Sequence, residues 1–316
     1  MDNKIVTTIL GATALTSSAI AGPVPVVVEE ASYESHTCDA LKNLGKVYKS
    51  ETNPWIQEVK LFGRGQFQYG YVDGSEADSE GYAEWRRVRL GAEVKFAKFF
   101  NAKVRANLED GGANDHNFDF GGYDEAYLGF DLGKAFNPGF VDNAKLTYGR
   151  HKISIGEDVH TSSKKIKTVE RSALTGMVRP DNHVGGLISL EKGDWEGAFG
   201  IFSSDEGNNE ALFDDYSGET LVYLSSAHGL ESGDLIFDLI INTDAEQADD
   251  YKNNWAASVA YRTEIWDWDW AFNVVLGDNE DDNDDDGDRK GLFGGLVIQP
   301  SKFIWEDKLE LVGRYY

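Results

Sequence analysis

A transmembrane antiparallel β-barrel, an all-β fold, is the expected architecture of this 316-residue chain, and three observations lead there. The first is alternation. From Arg87 onward Val88, Leu90, Ala92, Val94 and Phe96 share one side of a segment, while Arg87, Arg89, Gly91, Glu93 and Lys95 share the other. After a connection at 97–100 the pattern resumes, with Ala102, Val104, Ala106 and Leu108 opposed to Lys103, Arg105, Asn107 and Glu109. A period of two means β-strand, because successive side chains leave a pleated strand on opposite faces. Long cations on one face and small or medium apolar residues on the other suit a wall that meets lipid outside and water inside. The second observation is that, past the N-terminus, no stretch approaches the roughly 20 apolar residues of a spanning helix. The third is the spacing of the segments, in which short connections at 191–194, 229–233 and 264–267 alternate with long polar ones at 110–121, 204–218 and 278–289. Outer-membrane barrels show this asymmetry between short turns and long loops.

The elements follow in order. Lys4 precedes an apolar stretch from Ile5 to Ala21 that ends in Ala19-Ile20-Ala21, so residues 1–21 read as a signal peptide. Residues 22–54 read as a periplasmic extension, with weak helical spacing at Leu41, Leu44, Val47 and Tyr48; a disordered leader is the competing reading. The barrel is expected over 55–316. Its first strand, 58–72, sets Val59, Leu61, Phe67, Tyr69 and Tyr71 against Lys60, Arg64, Gln66 and Gln68. Twelve more strands are expected at 84–96, 101–109, 123–132, 143–152, 184–191, 194–203, 219–227, 233–242, 254–263, 268–277, 290–299 and 308–316. Closure would remove the open edges that so many strands otherwise leave. Thirteen is an odd count where single-chain bacterial barrels have even ones. In the last segment Leu309, Leu311 and Tyr315 share a face that excludes Tyr316, and a chain that stops before closure is expected.

Charge is segregated. The formal net charge is −25, yet residues 81–179 hold 16 Lys and Arg against 13 Asp and Glu, while residues 240–288 hold 2 against 15. Arg87, Arg89, Lys103 and Arg105 therefore stand in a locally positive stretch. The longest early break in the strand pattern, 153–183, adds Lys164, Lys165, Lys167, Arg171 and Arg179 against Glu157, Asp158, Glu170 and Asp181. A basic loop between two barrel strands can fold into the lumen and hold oxyanions by charge-assisted bonds, arginine offering bidentate geometry. An outward loop with solvated lysines is the alternative. The single cysteine, Cys38, has no intramolecular partner for a disulfide.

Three short motifs, in one order, resemble a known family. Arg86-Arg87-Val88-Arg89-Leu90-Gly91 is similar to the R-R-x-R-L-G signature of phosphate-selective porins of the O and P type. Gly149-Arg150-His151-Lys152 followed by Glu157 resembles that family's G-[QR]-[FH]-K…E strand end. Thr161-Ser162-Ser163 with Val169-Glu170-Arg171-Ser172 resembles its T-S-S…E-R constriction loop. The resemblance covers roughly 57–205. It implies a 16-stranded, homotrimeric channel in the bacterial outer membrane, in contact with lipid, passing small anions such as phosphate, with no enzymatic activity and no cofactor. Carried over by position, it puts Arg87 and Arg89 on the wall and Lys164 and Arg171 on the loop; Arg86 has the parity of the lipid face. The chain departs from the pattern in its strong negative charge and in Glu93, Glu109 and Glu125, which share the lumen with the cations.

Other chemistries fit poorly. Asp282, Asp284, Asp286 and Gly287 open like a calcium loop, but position twelve is Phe293 rather than a bidentate glutamate. The six histidines have no paired metal spacing, and no G-x-S-x-G elbow occurs, so no metal site and no catalytic residue are expected. Nothing in the pattern of charge points to nucleic acid. Two rivals stay open: a non-conducting outer-membrane barrel serving as a surface anchor or interaction protein, and a soluble secreted β-sandwich binding glycans through Trp266, Trp268 and Trp270, read as one strand face. The same tryptophans fit an aromatic girdle at a membrane interface.

Overall fold

A computed structural model of the chain describes residues 45–72, 80–110, 118–163, 165–204, 219–246, 248, 251–280, 290–305 and 308–316. Fourteen strands occur among them, each antiparallel to its paired neighbour. All thirteen expected strands are present, and a fourteenth precedes them. The chain divides into two compact units, the first extending to Ala126 and the second from Tyr127 to Tyr316.

In the first unit β1 (Lys46–Lys49), β2 (Ile56–Val72), β3 (Glu80–Phe96), β4 (Phe100–Asp110) and the start of β5 (Phe118–Asp131) lie in chain order. The strand β1 corrects the helical reading of residues around Val47 and Tyr48. All four of its residues are exposed, so a helix here has no apolar face to bury, whereas pairing Tyr48 with Val59 and Lys49 with Glu58 satisfies the edge of β2. Between β2 and β3 the register shifts, from Gln66 opposite Arg87 to Phe67 opposite Trp85. Arg86 is thus the extra residue of a β-bulge. The bulge turns Trp85 onto the exposed apolar side, edge-on to Phe67 at 5.5 Å between ring centroids. Simple parity would have put Trp85 with the arginines.

The second unit contains a short helix α1 (Leu132–Phe136), β6 (Asn143–Lys152), α2 (Glu157–His160) and α3 (Ala173–Val178), then β7 (Asn182–Lys192), β8 (Trp195–Ser203), β9 (Thr220–Leu230) and β10 (Gly233–Asn242). Strands β11 (Asn253–Ile265), β12 (Trp268–Asn279), β13 (Gly291–Trp305) and β14 (Leu309–Val312) complete it, and β6 through β14 pair in chain order. Two-residue turns join β7 to β8, β9 to β10 and β11 to β12. The last is Trp266-Asp267, both with positive φ (55° and 58°), the backbone of a type I′ hairpin. Trp266 therefore sits in a turn, 88% exposed, and not on a strand face with Trp268 and Trp270. Those two stay on one face of β12 with Phe272, stacked on Trp270 at 5.7 Å.

Burial in this unit is inverted relative to a water-soluble sheet. On one face Val259, Val274, Leu276, Leu296, Phe199, Ile201 and Phe237 are exposed. On the other, Ser225, Asp238, Ser258, Asn273, Gln299 and Ser301 are buried. A water-soluble protein that left such an apolar face bare would aggregate; lipid removes that cost. What covers the polar face is the segment between β6 and β7. Ile153, Ile155 and Val178 from that segment join Phe202, Leu221, Tyr223, Ile240, Tyr251, Ala256 and Val275 in the core. Each fully buried aliphatic chain contributes on the order of 1.5–3 kcal/mol.

Candidate functional site

In the first unit the expected wall residues come together, and they are not alone. Arg87 donates to Gln66 Oε1 at 3.2 Å. Arg89 donates from Nε to Asn107 Oδ1 at 2.8 Å, and its Nη2 lies 3.1 Å from Asp124 Oδ1. Arg105 is paired with the other oxygen of Asp124 and, at 3.0 Å, with Glu125 Oε2. Lys103, which is buried, reaches Glu125 Oε2 at 2.6 Å and stands 5.7 Å over the Phe62 ring. Register explains part of the grouping, since Arg89 is opposite Asn107 and Arg105 is opposite Gly91, whose missing Cβ leaves room for the Phe62 ring under Lys103. Glu125 is where the charge pattern anticipated a carboxylate. Asp124 was missed, because alternation allows only one of two adjacent carboxylates on a face, and the pair Asp124-Glu125 is the signal that could have flagged it.

In the second unit the segment from Ile153 to Asp181 lies against the polar face of β9–β14, and beside its apolar contacts many of the links are hydrogen bonds or ion pairs. Asp238 on β10, with no exposed surface, accepts from Gly156 N (3.0 Å) and Ser225 Oγ (2.7 Å) and bonds His160 Nε2 (2.8 Å). Glu157 accepts from Arg262 Nε on β11 at 3.0 Å and from Thr161 Oγ1 at 3.0 Å, and Arg262 also donates to Thr161 Oγ1 at 2.8 Å. Asp158 is buried; its Oδ2 accepts from Ser172 N at 2.8 Å, and its Oδ1 accepts from Arg314 at 2.9 Å. Ser172 caps α3, its hydroxyl accepting from Thr175 N at 3.2 Å, which starts a helix in six residues that lack charge. Tyr251 donates from its hydroxyl to Val178 O at 2.9 Å, and burial pushes that phenol well above its usual range, so it stays a donor. Leu174 packs so closely on Gly295 that a Cβ there would lie 2.4 Å from it.

The loop cations fall into different environments. Lys167 bonds Asp269 (2.9 Å), Ser301 Oγ (2.6 Å) and Glu310 (2.8 Å). Burial works against its charge, but the bonds to Glu310 and Asp269 outweigh that and hold its pKa above the ordinary lysine value. Arg171 donates to the main-chain oxygen of Asp158 at 2.9 Å. Lys165 is exposed and has no side-chain partner among the described residues. Lys164 lies outside the described residues, as do Asp282, Asp284 and Asp286 of the acidic loop. Sequence reasoning missed the wall arginines that receive this segment, Arg262 and Arg314, which stand 105 and 156 residues from Glu157 and Asp158.

The match to known families agrees with this geometry. The model of the family described as phosphate-selective porin O and P matches residues 59–229, more than half of the chain. No curated protein matches it. The match takes in the paired wall of β3 and β4, the strand end Gly149-Arg150-His151-Lys152 and the whole inward-packed segment with its Thr161-Ser162-Ser163 and Glu170-Arg171 elements. This is a family of outer-membrane channels rather than of enzymes, and its β-barrel accounts for an exposed apolar face backed by a buried polar one. The chain belongs to the phosphate-selective porin O and P family.

Proposed function

We propose that this porin carries small anions, phosphate among them, by passive diffusion across the bacterial outer membrane, as a lipid-embedded homotrimer. The observation that supports anion preference is the shared face of β3 and β4, where Arg87, Arg89, Lys103 and Arg105 come together, with Asp124 and Glu125 pairing the last three of them. Four cations are gathered at that place, and guanidinium groups offer the fork geometry that suits an oxyanion. The loop of the second unit carries further cations, Lys165 and Arg171, with Lys164 beside them in sequence. In a narrow, partly dehydrated passage such charges act more strongly than in bulk water, and dispersed sites let an ion leave as readily as it enters. Residues 1–21 act as the export signal, and residues 22–54 as a periplasmic extension whose later part joins the sheet as β1.

Planar bilayers with the full-length protein test this. Stepwise conductance with an anion-directed reversal potential is expected, and Arg87→Glu with Lys165→Glu should reduce or reverse it. A cation-directed potential would sink the anion claim. Folded protein without conductance would leave a surface anchor in its place.

A further inference from the structure

Arg314 lies just beyond β14, nine-tenths buried at its side chain, and makes three bonds of different kinds. It donates to Asp158 Oδ1 at 2.9 Å, to the main-chain oxygen of Glu170 at 2.7 Å, and to Gln299 Oε1 on β13 at 2.9 Å. Asp158 and Glu170 sit at the two ends of the stretch 158–170, which holds Thr161-Ser162-Ser163, Lys164 and Lys165. One guanidinium therefore ties both ends of that stretch to the wall. Arg262 does the same for the segment's entry, bonding Glu157 and Thr161. Both arginines lie outside residues 59–229, the part of the chain that matches the family.

We infer that Arg314 and Arg262 are positioning residues of the channel: two arginine clamps, one on β11 and one just after β14, that fix the inward-packed segment and so set the width and charge of the passage. The inference rests on the porin reading above. Their charges are neutralised by Asp158 and Glu157, so they are not ion-attracting groups themselves. Removing Arg314 strands the Asp158 carboxylate under cover, where an uncompensated charge is strongly unfavourable, and the cheapest relief is for the stretch to lift toward water. Removing both charges of the pair at once relieves that pressure.

The test is single-channel recording of full-length Arg314→Gln, Arg262→Gln and the double variant Arg314→Gln with Asp158→Asn. Heat-dependent gel mobility checks that each barrel is folded. The single variants should conduct more, with flickering between levels and a loss of ion preference that shifts the reversal potential toward zero. The double variant should recover the steady level and much of the preference, which a general loss of barrel stability would not produce. Arg262→Gln, at a less deeply buried pair, covers the case in which Arg314→Gln does not fold. Unchanged conductance and reversal potential in folded Arg314→Gln and Arg262→Gln would overturn the clamps. Absence of channels from the unaltered protein would instead overturn the porin reading.

Discussion

The β3–β4 wall of the first unit and the loop-covered face of the second are both rich in arginine, lysine and carboxylates, yet their charge pairs do different work. On the wall, the pairs run from strand to strand, one of them across the whole width of β4: Arg89 and Arg105 meet Asp124, and Lys103 and Arg105 meet Glu125. On the covered face, the pairs run from strand to loop, with the carboxylate on the loop in two cases and the cation on it in a third: Arg262 with Glu157, Arg314 with Asp158, Asp269 with Lys167. On the function proposed above, wall pairs tune how much positive charge faces the passage. Strand-to-loop pairs hold a segment in place. Counting cations is therefore a poor guide to ion preference; what each cation is paired with decides it.

Four expected outcomes bear on that difference. The largest effect is expected from Asp238→Ala, which orphans Gly156 N, Ser225 Oγ and the His160 bond under the loop, at about 1–3 kcal/mol for each stranded group. Urea titration of the vesicle-inserted protein measures it, and a change within error would mean that the loop is not held by polar bonds at all. Next is Val274→Lys, on the exposed face opposite Leu296, which should cost about 2–4 kcal/mol in a bilayer. A neutral result there would break the assignment of the two faces. A smaller effect, in selectivity rather than stability, is expected from Asp124→Asn. It frees Arg89 and Arg105 from their shared carboxylate and should move the reversal potential further toward anions; movement the other way would erase the distinction between tuning and holding pairs. The smallest is a pH effect at Lys167. Its pKa is raised on folding, so its contribution is complete below the ordinary value of 10.5 and fades only as pH climbs through the raised one. Comparison of Lys167→Met with the unaltered protein should give a stability difference flat across neutral pH and shrinking above 10.5.

Much of the fold is legible in the residues. Every expected strand formed, because alternation between apolar and polar positions is a local property and a strand's two faces are settled once one of them has a use. The inward segment was legible as a break in that alternation with charge in it. Three things were not. The strand at Lys46–Lys49 is made by the open edge of β2 rather than by its own exposed residues. The position of Trp85 depends on a bulge at Arg86, and bulges are decided by the partner strand. Trp266 left its strand face because a two-residue turn required positive φ there.

The candidate site divides in the same way. Arg87, Arg89, Lys103 and Arg105 share a face by parity alone, and Lys165 and Arg171 fall in the interrupting loop by simple position in the chain. By itself, then, the sequence determined the strands, their two faces and the family. Tertiary structure decided the partners: Asp124 with Arg89 and Arg105, Arg262 with Glu157, Arg314 with Asp158 and the main chain at Glu170. The physical reason is range. Side-chain alternation repeats every two residues, whereas a charge pair forms wherever folding brings opposite groups within about 4 Å under cover from water. Nothing in the spacing of Asp158 and Arg314 announces that they will meet.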